Sequence, residues 1–173
     1  LQRIYTLNEN PKPRLALFQP DIPQNTGAML RLAACLDVAV DVIGPTGFVF
    51  GERRMKRAGM DYADQVDLQR HDSWDEFKAA RSGGRLILMT TKSRDRYTDF
   101  AFRGGDVIIM GAESSGAPDW VHDAAAARLV IPLAPGMRSL NVAQAAAMVL
   151  GEALRQIEAP TAATVRKNLE IAT

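Results

Sequence analysis

Four apolar residues, Val107-Ile108-Ile109-Met110, stand between Asp106 and Gly111 without a polar residue among them. A strand with one wet face alternates apolar and polar side chains; an unbroken run belongs in a parallel sheet covered on both faces. Arg85 to Thr90 has the same character, and Arg14 to Phe18 reads as a further buried strand, stopped by Pro20 and Pro23. Val38 to Ile43 is a strand ended by Gly44-Pro45, and short strands are expected at Gln65 to Leu68 and Arg128 to Ile131.

Helix signals fall between these runs. Asn25 is placed to cap a helix reaching about Leu36, and Ser73 with Glu76 three residues on is a capping box. That second helix ends before Gly83-Gly84. A short basic helix is expected over Glu52 to Arg57, another begins at Pro118, and Asn141 caps a last one to about Ile157. Alternating β and α units predict one doubly wound α/β domain with a parallel sheet. Its span is 14–158, with an N-terminal extension over 1–13 and a loosely held tail over 159–173.

A chain of 173 residues supports one full core and is short for two. No apolar run approaches membrane-spanning length, and Leu1 to Arg14 has no signal-peptide core. The single cysteine, Cys35, forms no internal disulfide and fits a reducing compartment, so a cytoplasmic location is expected. Net charge is only +1, which does not announce a nucleic-acid binder. Basic residues are nevertheless gathered locally: Arg53, Arg54, Lys56 and Arg57 in one stretch, and Lys92, Arg94 and Arg96 after a strand.

Two helices lack a wet face. In the first, Met29, Leu32, Ala33 and Leu36 are expected on the sheet, while Gly27, Ala28, Ala34 and Cys35 form a small-residue face whose one charge is Arg31. The last helix is apolar almost all round from Val142 to Leu150. A helix apolar on every side is buried on every side. A two-fold homodimer built on these helices is therefore expected.

Three loops close predicted strands where α/β proteins assemble ligand sites. They are Asn25-Thr26-Gly27 running to Arg31, Gly111 to Gly116, and Ile131-Pro132-Leu133 running through Arg138-Ser139-Leu140-Asn141. With the stretches LALFQPDIPQNTGAMLRLAACL, RRMKRAGMDY, LILMTTK, DVIIMGAESSG and IPLAPGMRSLNVAQAAAMVLGEALRQ, the chain resembles the SPOUT class of RNA methyltransferases. Within it, the likeness is to the small tRNA wobble-nucleotide (cytidine/uridine) 2′-O-methyltransferases, the TrmL or YibK-like group. The resemblance runs from about Leu15 to Gln156. It implies a C-terminal trefoil knot, which general topology rules would reject, together with an S-adenosylmethionine pocket in the knot loops, a homodimer, and tRNA as substrate.

By position, the resemblance implies a cofactor pocket of Met89, Thr90, Gly111, Ile131, Leu133, Ser139 and Leu140. Glycine at 111 lets a ligand approach the main chain, and apolar walls hold the adenine. It places the catalytic arginine at Arg31, with Asn25 capping its helix and helping to orient Arg31 or the RNA. A guanidinium is a poor base. Arg31 either acts while transiently deprotonated beside a phosphate or positions that phosphate while another group takes the proton. Glu113, an acid facing a polyanion, is expected to pair with an arginine and organise the site. Glu113, Arg138, Asn141, Arg53, Arg54, Lys56 and Arg57 are the expected substrate-binding residues, the basic ones as candidate phosphate contacts, and Tyr62 and His71 either stack on a base or pack. Ser114-Ser115 stand where related enzymes often carry a threonine and a basic residue.

Alternatives are the same methyl transfer at another tRNA position or on ribosomal RNA, and a catalytically silent RNA-binding dimer. A nicotinamide oxidoreductase is disfavoured because Pro-Asp-Ile-Pro-Gln-Asn follows the first strand instead of a glycine-rich fingerprint. No His/Cys cluster has metal-ligand spacing, so no metal is expected.

Overall fold

The computed structural model describes residues 11–49 and 60–157. Six parallel strands form one sheet in the order β3-β2-β1-β5-β4-β6. They are β1 Arg14–Phe18, β2 Ala39–Ile43, β3 Leu68–His71, β4 Leu86–Met89, β5 Val107–Met110 and β6 Ala127–Leu129. β1 pairs with β2 on one side (Leu15↔Val40) and with β5 on the other (Leu15↔Ile108). The chain builds outward from β1 in one direction and then crosses to build the other half. The change of direction leaves a crevice at the carboxyl ends of β1, β5 and β4.

Strand alternation divides the core between the two faces. Leu15, Leu17, Val40, Val42, Ile108 and Met110 pack with α1 (Pro23–Leu36) and α4 (Val142–Ile157). Ala16, Phe18, Ile43 and Ile109 pack with Trp74 and Phe77 of α2 (Trp74–Ala80) and Val121 of α3 (Asp119–Ala124). Every residue of β5 is buried, as its unbroken apolar run requires.

Several expectations are corrected. Helix α1 starts two residues before Asn25: Ile22 is the N-cap and Pro23, with its φ preset and no N–H to satisfy, opens the first turn. Asn25 therefore lies inside the helix with its side chain released from capping. The buried stripe of α1 is Thr26, Gly27, Met29, Leu30 and Ala33, and Leu32 and Leu36 pack against the core while half-buried. Helix α1 packs against α4 and the turn at Met60–Gln65 as well as the sheet. Residues Met60–Gln65 form a 3-10 turn, and the edge strand β3 begins only at Leu68. Its exposed Gln69 and Arg70 hide it from an apolar pattern. The expected helix over Glu52 to Arg57 and the tail 159–173 lie outside the described residues.

Other signals are seen as expected. Ser73 Oγ accepts the Glu76 amide at 3.2 Å, with Glu76 Oε2 reaching back to the Asp72 amide at 2.7 Å. Asn141 Oδ1 accepts the Ala143 and Gln144 amides, capping α4. On α4 the sheet-facing stripe is Ala146, Val149, Leu150, Ala153, Leu154 and Ile157, but Ala147, Met148 and Gly151 are exposed.

A buried ionic cluster escaped the sequence reading. Asp41, in the middle of β2 and fully buried, accepts hydrogen bonds from Arg14 and Arg81 and lies 2.9 Å from His71 Nε2. Burial pushes its carboxyl up, but Arg81, Arg14 and His71 outweigh that and hold it below the usual aspartate range.

Candidate active site

The crevice at the strand ends is a cleft of about 590 Å³, a size that suits a small organic ligand. Each wall comes from the residues that follow a strand. Met89 to Lys92 leave β4, Met110 to Glu113 leave β5, and Ile131, Leu133 and Arg138 to Asn141 follow β6. Asn25 of α1, His122 of α3 and Ala145 of α4 also line it. All seven residues expected to hold a cofactor, Met89, Thr90, Gly111, Ile131, Leu133, Ser139 and Leu140, line this one cleft. So do Asn25, Glu113, Arg138 and Asn141.

Two segments close around β6. Thr90 N–H donates to Leu129 O at 2.9 Å on one side, while Val130 N–H donates to Asp95 O at 2.8 Å and Tyr97 N–H to Val130 O at 3.1 Å. The chain leaving β6 thus runs between Thr90 and the 95–97 segment before it reaches Ile131.

Gly111 has a reason for being glycine closer than any ligand. The loop after it folds back, with Ala112 N–H on Gly116 O and Gly116 N–H on Ala112 O at 3.0 and 2.8 Å. A Cβ at 111 would sit 2.7 Å from Gly116 C. The turn itself needs positive φ at Gly116, +69°.

Asn25 and Asn141, 116 residues apart, meet directly: Asn141 Nδ2 donates to Asn25 Oδ1 at 2.9 Å. Each thereby ties its helix start to the other across the cleft. Glu113 does not pair with an arginine among the described residues. Its partner is Asp21, whose amide donates to Glu113 Oε2 at 3.1 Å while Asp21 Oδ1 accepts the Glu113 amide at 3.2 Å. Asp21 also accepts from the Ser114 amide and hydroxyl. Sequence reasoning missed Asp21, although a carboxylate between Pro20 and Pro23 at the end of a central strand was a signal. The hydrogen bonds from Glu113 and Ser114 take the Asp21 carboxyl down to about 2. Burial first, then the hydrogen bond to Asp21, push Glu113 above the ordinary glutamate range.

Arg31 stands apart. It is exposed on α1, outside the cleft lining, with its guanidinium 5.2 Å from the centroid of the Tyr62 ring. Tyr62, read as a base-stacking or packing residue, is thus engaged by Arg31. His71 is buried against Asp41 and Phe77, which removes it as a base-stacking candidate. Arg53, Arg54, Lys56 and Arg57 lie outside the described residues. Lys92 and His122 also line the cleft; nothing in the sequence pointed to His122. Among the described residues no group of three or more His, Cys, Asp or Glu could hold a metal, and no helix is long and apolar enough to cross a membrane.

Comparison with known proteins gives one consistent result. The model of the SpoU rRNA Methylase family matches residues 12–151. A protein of Beijerinckia indica named tRNA (cytidine(34)-2′-O)-methyltransferase is 60% identical over 147 residues, covering 84% of this chain and 92% of its own. A protein of the same name from Ancylobacter novellus is 50% identical, covering 82% and 91%. A solved structure described as giving structural insights into the 2-OH methylation of C/U34 on tRNA is similar with a TM-score of 0.79. Its identity is 38%, with 84% of this chain and 95% of that chain covered.

Proposed function

The chain belongs to the SpoU rRNA Methylase family, and we propose from that premise that it methylates the ribose 2′-hydroxyl of a cytidine or uridine at the wobble position of tRNA. S-adenosylmethionine is the methyl donor in this reading. Residues 14–158 form the catalytic domain, and the enzyme works in the cytoplasm as a homodimer. The observation that carries the proposal is convergence: residues from three distant loops, chosen by sequence, line one cleft.

The lining suits such a cofactor. Met89, Ile131, Leu133 and Leu140 offer apolar walls for a flat base, and Thr90, Gly111 and Ser139 bring polar groups to its edge. When bound, S-adenosylmethionine supplies a methyl group activated on a sulfonium sulfur. Asn25 and Asn141 brace the two helix starts that frame the cleft. Arg138 contacts the RNA at the rim, with Arg53, Arg54 and Arg57 adding phosphate contacts that position without specifying sequence. Arg31 holds a phosphate so that the ribose hydroxyl is aligned for transfer.

The homodimer reading is supported by what stays uncovered: Ala28, Arg31 and Cys35 on α1, and Ala147, Met148 and Gly151 on α4. Arg31 lies outside its own chain's cleft, so across such an interface it serves the cleft of the second copy. The trefoil knot is supported by the passage of the chain after β6 between Thr90 and residues 95–97.

The test is Arg31→Ala, assayed for methyl transfer, cofactor binding by calorimetry, and mass by sedimentation. The variant keeps the fold, the dimer and the cofactor but loses about a hundredfold or more in turnover. Near-normal turnover would overturn the assignment.

A further inference from the structure

Asp21 is wedged between two loops. On one side it takes the amides of Glu113 and Ser114 and gives its own amide to Glu113. On the other, Gly47 packs so closely that a Cβ there would lie 2.7 Å from Asp21 Cβ. Gly47 N–H also donates to Pro20 O at 3.0 Å, fixing the segment behind Asp21. The consequence falls on Glu113. Its Oε2 is taken by the Asp21 amide, while Oε1 is buried with no donor at hydrogen-bond distance, Asn25 being the side chain that approaches the carboxyl, and Glu113 lines the cleft. A buried polar atom left without a partner costs free energy unless something else meets it.

We propose that Asp21 is a positioning residue of the site: seated against Gly47, it fixes Glu113 so that one carboxyl oxygen meets a hydrogen-bond donor of the bound ligand. This deepens the methyltransferase reading and rests on it for what occupies the cleft. Two carboxylates side by side do not both ionise easily, and the one with more hydrogen bonds to its charged form keeps the charge. Asp21 collects three such bonds from Glu113 and Ser114. Burial first, and then the charged Asp21 beside it, push the Glu113 carboxyl above the ordinary glutamate range. The other groups facing Glu113 are Asn25 on α1, which favours the ionised form, and, around the same cleft, Lys92 after β4, His122 on α3 and Arg138 before α4.

The experiment follows the Glu113 side-chain carboxyl carbon by NMR through a pH titration of the free full-length chain, in the native protein and in Asp21→Asn. The native midpoint lies above the ordinary glutamate range, and Asp21→Asn lowers it measurably, since Lys92, His122 and Arg138 all remain. Gly47→Ala, which leaves both carboxyl groups in the chain but displaces Asp21, moves the midpoint the same way. A role limited to bracing the loop would lower thermal stability in both variants without moving the midpoint. A native midpoint in the ordinary range, or one that Asp21→Asn leaves unmoved, overturns the proposal. The two readings fail separately. Turnover that survives Arg31→Ala sinks the methyltransferase assignment, whereas an unmoved Glu113 midpoint with Arg31-dependent turnover sinks only the Asp21 proposal.

Discussion

Gly111→Ala should disable the cleft by forcing apart a turn that has no room to yield. The added methyl carbon would lie 2.7 Å from Gly116 C and 3.0 Å from both Ala117 N and Gly116 O, and all three neighbours are backbone. One outcome is that the turn stays closed and the clash is absorbed as strain, at about 1–3 kcal/mol. The other is that it opens and loses the paired Ala112–Gly116 hydrogen bonds, each worth about 0.5–1.5 kcal/mol net. Both routes give about 1–3 kcal/mol, which for a chain of this size lowers the melting temperature by roughly 2–12 °C. Because the turn is a wall of the cleft, S-adenosylmethionine affinity falls in parallel, read by calorimetry. Gly83→Ala is the control: nothing lies within 4 Å of the added carbon, and its melting temperature should stay near the native one. A Gly111→Ala protein that melts within about 1 °C of the native one and binds the cofactor normally would refute the reasoning.

Tyr62→Ala removes the ring under Arg31, a contact worth about 0.5–1 kcal/mol at an exposed site. Turnover should fall a few-fold with cofactor affinity unchanged, and Tyr62→Phe, which keeps the ring, should restore it. Asp41→Asn leaves Arg14 and Arg81 without their buried anion; breaking such a pair costs about 3–5 kcal/mol, to be read from urea unfolding, and a cost below about 1 kcal/mol would contradict the cluster's role. Asp21 and Asp41 both have folded values below those of the unfolded chain. Their stabilisation is therefore complete above the unfolded aspartate range, near pH 4, and is lost as pH falls toward 2. Glu113 has the opposite sign, favouring the folded state at low pH and losing that as pH rises through its raised value. The melting temperature should drop chiefly below pH 4, and a flat profile there would count against both aspartates. If the chain forms the proposed homodimer, Met148→Lys on the exposed face of α4 should give single chains in sedimentation where the native protein gives two; an unchanged mass would remove α4 from the proposed interface.

The buried strands were legible because β5 and β1 carry apolar runs that no other environment suits, and Ser73 and Asn141 announced their helices by capping chemistry. The cleft was legible because its walls are loops that directly follow strands. What escaped depends on partners far away in sequence. Asn25 reads as a cap, but Pro23 starts the helix and frees the side chain for Asn141, 116 residues on. Glu113 needed a charged partner, and sequence suggested an arginine because nothing local shows that the β1–α1 loop places Asp21 beside it. His71 and Asp41 look like ordinary strand residues until β2 and β3 pair and α2 brings Arg81 over them. Leu32 and Leu36, placed on the core side by helix periodicity, do pack against it but stay half-buried.

The most direct measurement is to incubate the purified chain with unmodified bulk tRNA and S-adenosylmethionine carrying a labelled methyl group, then locate the label by nuclease digestion and mass spectrometry. The account predicts a single 2′-O-methyl at the wobble ribose, on cytidine or uridine. Label on a base, on another nucleotide, or on no tRNA at all would contradict it.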